Sequence, residues 1–382
     1  MDKTNGKRLY FLDNLRTVII FLVILYHAGG VYSFLFAPFW IVADPATNEL
    51  VSILNIVIDI IVMPTLFFIS GYLVPASLKS KKGWTFVKAK FTRLILPWII
   101  AVLILIPLYK VIFLFSRNLP QENWTTYFHF SNGFISQSWL WFLPVLFLYN
   151  MLYLLSSKAN IRIPNISLKV AVFGTFLIGF VYSVSMGGIL GFRSWTLTPL
   201  IDFENERLLV YFMIFLLGSL CFGQKVFAEK PQSITLYIIV SSTAWIPITI
   251  HIISRMIPFI APEGFLISPL GDRLIFWLSY YLSLLCLLYL LVETFWRYLD
   301  KTGKIWNELN KNSYSVYIIH VIVLGGIALL LLNSAMPSLL KYLTLTVSTF
   351  VACNLIVSLY RKATTTIKIQ RIERRNVSSS QI

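Results

Sequence analysis

Arg16 and His27 stand in one apolar run, LDNLRTVIIFLVILYHAGG. They pair a permanent cation with a ring that can take up a proton or act as a nucleophile. Eleven positions separate them, which in a helix is three turns plus about 20° and a rise of roughly 16 Å. Both side chains therefore share a face. With Arg16 at the membrane edge, His27 falls near the middle of a hydrocarbon layer about 30 Å thick. Polar groups at that depth are costly and are kept for use. Asp13, three residues before Arg16, extends the stripe.

Other residues with chemical potential fall into similar stripes. In NSYSVYIIH, Ser313, Tyr317 and His320 share a face at i, i+4 and i+7. In the second apolar run Ser52, Asn55 and Asp59 line one face. The Asp59 carboxylate there requires a basic side chain or a histidine across the bundle, His27 being one choice. Lys90 and Arg93 lie one turn apart ahead of Pro97. Alone they are an ordinary basic flank of a membrane segment; joined to Arg16 they form a cationic mouth suited to phosphates. His251, toward the outer end of its segment, reads as interfacial and water-bonded, and His129 as exposed in the loop 116–137. Cys221, Cys286 and Cys353 are isolated in apolar segments and read as small core residues, with no disulfide or metal site.

The elements that must hold these groups are membrane helices. Hydrophobic residues make up 57% of the 382 positions and charged residues 13%, with a mean hydropathy of +0.76, which excludes a soluble domain. The expected fold is an all-α integral membrane bundle of about ten spans, near 15–36, 50–77, 91–115, 138–157, 168–187, 207–226, 234–256, 273–297, 312–333 and 338–360. Placing both termini in the cytoplasm puts 24 of the 32 lysines and arginines on inner segments, the asymmetry that cytoplasmic loops carry. The same scatter excludes nucleic acid as the reason for a net charge of +16. One membrane domain over 15–360 is expected between a cytoplasmic arm, 1–14, and a basic cytoplasmic tail, 361–382. That tail is either solvated or laid on anionic headgroups. The first run is too long for a signal peptide and lacks a small-residue cleavage site. No internal repeat is visible, which weighs against an inverted-repeat transporter.

These residues carry a resemblance to the acyltransferase 3 family of multipass membrane acyltransferases, over nearly the whole chain. Asp13, Leu15, Arg16 and His27 match its opening motif, and FFISGYL, with Ser70 and Gly71, matches its FFxSGYL. Lys90 and Arg93 before Pro97 match its arginine pair, with lysine where arginine is usual. Ser313, Tyr314, Tyr317 and His320 match its SYxxYxxH. Leu146 and Phe147 stand where many members carry two acidic residues. SWLWFLPV instead resembles the HLWFLPV of the glucan-modifying subgroup, the glucan biosynthesis protein C type that succinylates periplasmic glucans.

The resemblance implies transfer of an acyl group, of the acetyl or succinyl class, from cytoplasmic acyl-CoA to a hydroxyl of an extracytoplasmic glycan across the cytoplasmic (inner) membrane. No tightly bound cofactor is expected. His27 would be the base or acyl carrier, with Asp13, Arg16, Tyr317 and His320 beside it; Arg16, Lys90 and Arg93 would hold coenzyme A. Asn55, Asp59, Ser70 and Trp141 are the expected acceptor contacts. Trp40, Trp124, Trp139 and Trp195 join Trp141 as outer aromatics that stack on sugars or anchor the interface. The same buried polar residues also fit a transporter or flippase for an acyl donor or lipid-linked saccharide. A non-catalytic scaffold would leave the polar stripes unexplained.

Overall fold

The computed structural model describes residues 9–35, 39–81, 83–123, 126, 137–159, 166–228, 233–260 and 264–379, without the side chains of 260 and 368–379. Trp124, His129, the arm before residue 9 and the basic side chains beyond Ile367 lie outside the described residues. The chain is mostly helical: α1 Tyr10–Tyr32, α2 Glu49–Ser80, α3 Trp84–Lys90, α4 Leu96–Ser116, α5 Phe142–Lys158, α6 Leu168–Ile189, α7 Leu208–Gly223, α8 Thr235–Thr243, α9 Trp245–Ile260, α10 Pro269–Tyr298, α11 Lys304–Leu332 and α12 Ser338–Ser379. A short hairpin of Trp195–Thr196 and Phe203–Glu204 precedes α7.

Among the described residues nine helical stretches are long and apolar enough to cross a membrane, with α3 and α4 read as one and α8 and α9 as another. Each overlaps an expected span. The remaining expected span, 207–226, is the 16-residue apolar α7. It is about 24 Å long at 1.5 Å per residue. It lies deep in the bundle against α2, its most extensive neighbour. Glycines let these two backbones meet. A Cβ on Gly71 would stand 1.9 Å from the Phe215 carbonyl oxygen, and one on Gly218 2.2 Å from that of Phe68. Small residues at helix seams allow this approach in lipid, where apolar side chains gain nothing by leaving the tails. Gly71 of FFISGYL is thus a packing requirement.

Polar clasps close both ends. At the end that begins α1, Asn14 Nδ2 donates to the Leu299 and Lys301 carbonyls, each at 2.8 Å, and Asn310 Nδ2 donates to Asn14 Oδ1 at 2.8 Å. At the opposite end Lys341 Nζ meets Asp44 Oδ2 at 2.9 Å, both buried. There too Arg207 reaches Asp59 at 2.9 Å and Glu204 at 3.3 Å. Asp59 therefore pairs with Arg207 and not with His27. The pairing follows from depth: the eleventh residue of α2 comes level with the start of α7, which the hairpin delivers. His251 is buried rather than interfacial. Its Nδ1 lies 3.3 Å from Ser279 Oγ and its ring packs on Phe276 and Tyr280, because α9 turns that face toward α10. Cys221, Cys286 and Cys353 are free thiols.

Between α3 and α4, residues Phe91–Ile95 form one π-helical turn in which the Leu96 N–H bonds the Phe91 carbonyl. Pro97 has no N–H to offer the Arg93 carbonyl one turn back. Tyr314 Oη fills that place, donating to it at 2.6 Å. Lys90, Arg93 and Pro97 are thereby fastened to α11 through the tyrosine of NSYSVYIIH.

Two outcomes test this packing. Gly71→Val should destabilise the protein by about 3 kcal/mol, because a backbone carbonyl cannot step aside. Gly174→Ala, with open space at its Cβ, should not; equal melting temperatures in detergent would disprove the seam. Glu206, wholly buried beside Glu204 and against Gly187, has its carboxyl pushed up to about 7 by burial and then by the Glu204 charge. A carboxyl raised above its unfolded value of about 4.3 stabilises the fold in acid, and the contribution is lost as pH rises through 7. Glu206→Gln should therefore melt a few degrees above the parent at pH 8 and level with it only near pH 4, below the unfolded value. A gap that does not change with pH would contradict this.

Candidate active site

The two histidine stripes face each other. α1 and α11 begin at the same end of the bundle, and the stripes meet twice. Arg16 Nε donates to Ser313 Oγ at 3.1 Å, and His27 Nδ1 lies 2.7 Å from His320 Nε2. The ring planes are only 12° apart with centroids 4.9 Å apart, so the imidazoles are joined through their nitrogens.

The proton positions follow from one group that can only accept. His320 Nδ1 lies 2.6 Å from the Tyr317 carbonyl oxygen, so that nitrogen carries the hydrogen. In a neutral ring His320 Nε2 is then the acceptor, and His27 Nδ1 must donate to it. The remaining nitrogen, His27 Nε2, keeps its lone pair. A backbone carbonyl thus sets the tautomers of two rings and leaves one basic nitrogen.

The surroundings fix this pair. Tyr317 Oη donates to the Trp139 carbonyl, while Trp139 Nε1 donates to the Ile318 carbonyl at 3.0 Å. Tyr317 therefore spends its hydroxyl on tying α11 to the turn before α5, and its carbonyl on orienting His320. Trp40 lies over His27 with centroids 4.9 Å apart and planes 25° apart. The neighbouring glycines explain HAGG. A Cβ on Gly30 would stand 3.0 Å from the Trp40 ring, and one on Gly29 2.1 Å from Asn55 Oδ1. Arg117 holds the Trp40 carbonyl at 2.7 Å. Burial lowers the guanidinium's affinity for its proton.

The cationic residues gather at the other end of the stripe. Arg16 contacts Asp13 Oδ1 at 3.1 Å and the Asn310 carbonyl at 3.3 Å. The adjacent Tyr314 carries the Arg93 turn, and Lys90 lies over the Phe86 ring at 5.3 Å. Arg93 is exposed and Lys90 half-buried. The other expected contacts are spread out. Asn55 Nδ2 donates to the Tyr26 carbonyl at 3.1 Å, beside His27; Asp59 belongs to the Arg207 network. Ser70 is half-buried next to the α2–α7 seam, and Trp141 stacks on Tyr211 and meets Trp195 edge-on. Arg207, Glu204 and Glu206 were not singled out by sequence reasoning, yet four charges in IDFENERLLV, at the mouth of an apolar helix, are an available signal. Asn14 and Asn310 had none beyond being polar.

Comparison with curated proteins and with solved structures found no match. The acyltransferase 3 family model, described as an acyltransferase domain, matches residues 9–358 and so takes in α1 to the first half of α12. The chain belongs to the acyltransferase 3 family, and its apolar helices make it a multipass membrane member.

Proposed function

We propose that this protein transfers an acetyl- or succinyl-class acyl group from acyl-CoA to a hydroxyl of an extracytoplasmic glycan, with both termini on the cytoplasmic side of the cytoplasmic membrane. The observation that carries the reading is the hydrogen-bonded His27–His320 pair, which leaves His27 Nε2 as its one free basic nitrogen. Arg16, Lys90 and Arg93 hold the phosphates of coenzyme A at the α1 start, and its pantetheine arm runs up between α1 and α11 to His27. His27 Nε2 takes the acceptor hydroxyl proton as that oxygen bonds the thioester carbonyl carbon. The tetrahedral intermediate then expels the thiolate, which takes the same proton from His27. Protonated His27 is stabilised through its Nδ1–H bond to His320, made charge-assisted at that moment, and through the face of Trp40. SWLWFLPV favours a glucan as acceptor, and Trp195, exposed and edge-on to the buried Trp141, supplies aromatic surface for a sugar ring.

His27→Ala should lower acylation about 10³-fold. His320→Ala, which leaves the base but not its tautomer lock, should lower it about 10²-fold. The measurement is mass spectrometry of envelope glycans from cells with matched protein levels. Unchanged acylation in His27→Ala would end this reading, and movement of an unmodified solute would replace it with transport. Arg93→Gln should raise the KM for acyl-CoA with kcat little changed, as loss of uniform binding does. A fall in kcat at constant KM, followed by thiol release from acetyl- or succinyl-CoA, would contradict the cationic mouth.

A further inference from the structure

Away from the histidines, a cavity of about 900 Å³ opens between α6 and α8, walled by α7 and α10. Its lining is apolar, with Phe68, Phe173, Phe176, Leu217, Leu285 and Leu288 among the walls. The volume is at the upper end for a small-molecule site. Helix α8 buries none of its residues, although Leu236 and Val240 line the cavity. The apolar face it turns inward thus has open space in place of tightly packed protein.

The mouth has a definite charge. Lys169 belongs to the lining and is exposed, and Lys225, also exposed, directly precedes Val226 and Phe227 of the wall. Glu293, the acid of the lining, is neutralised by Arg297 at 2.5 Å. The mouth lies at the same end as Arg16, because the chain leaving α10 is held by Asn14 at Leu299 and Lys301.

We infer that this groove binds one anionic diacyl phospholipid, its chains between α6 and α8 and its phosphate on Lys169 and Lys225. A zwitterionic lipid would fill the apolar part equally, but only a net negative headgroup gains from the two exposed lysines. The site also touches the machinery's frame. Phe227 of its wall meets Phe11 of α1 edge-on at 5.1 Å, and Tyr72 and Trp296 pack on the same ring. The lipid therefore braces the start of the helix that carries Arg16 and His27.

Native mass spectrometry of the full chain in mild detergent, with added phosphatidylglycerol or phosphatidylcholine of identical chains, tests this. One phosphatidylglycerol should remain bound where phosphatidylcholine is stripped. Lys169→Glu/Lys225→Glu, a surface change that leaves the packing intact, should weaken retention about thirtyfold, and Val240→Trp should abolish it by filling the groove. Equal retention of the two lipids, or retention unmoved by either variant, would overturn the assignment. So would a co-purifying isoprenoid lipid that phosphatidylglycerol fails to displace, or a second copy of the chain lost on Val240→Trp.

Discussion

The hydrogen bond between His27 and His320 rests on a demand the bilayer makes of any chain inside it: polar groups must be satisfied by the protein itself. Two imidazoles at that depth have little to bond except each other and backbone. The Tyr317 carbonyl then decides which nitrogen of each ring carries hydrogen. The geometry that satisfies the buried polar groups is also the geometry that leaves a base. Much around the pair serves to hold it: Gly29 admits Asn55 to the α1 backbone, Gly30 admits Trp40 to the ring face, and the Trp139–Tyr317 exchange fixes the turn of α11 from which His320 projects.

The same demand accounts for the charged groups. Asp59, half-buried within α2, is met by the buried Arg207 from the hairpin side, and Asp44 by Lys341. Each joins segments remote in sequence, so that breaking one partner leaves an uncompensated buried charge, a costly state. At the α1 start, where headgroups and water are near, charge is arranged differently: Arg16 is shared among Asp13, Ser313 and Asn310, while Arg93 stays exposed. The ion pairs of Asp59 and Asp44 secure one end of the fold, and at the other Arg93 keeps its side chain exposed.

One backbone irregularity lies where function is proposed. Pro97 and the π-helical turn before it withhold regular bonds at Arg93, and Tyr314 makes good the loss. π-turns often sit at functional sites, and here the turn couples the basic pair to the helix that carries His320. A motif tyrosine and a motif proline more than two hundred residues apart thus act on one carbonyl.

The sequence by itself determined the apolar spans, because helix length and hydropathy are local properties set by the thickness of the bilayer. It also determined the stripes of Asp13, Arg16 and His27 and of Ser313, Tyr317 and His320, because 3.6 residues per turn places them on one face wherever the helix lies. Which stripe faces which was settled only by tertiary structure. The pairing of Asp59 with Arg207, the burial of His251, the place of Trp40 over His27 and the glycine seam between α2 and α7 all depend on how helices cross. Crossing is decided by the summed fit of many side chains from distant segments, and no single stretch of sequence records that sum.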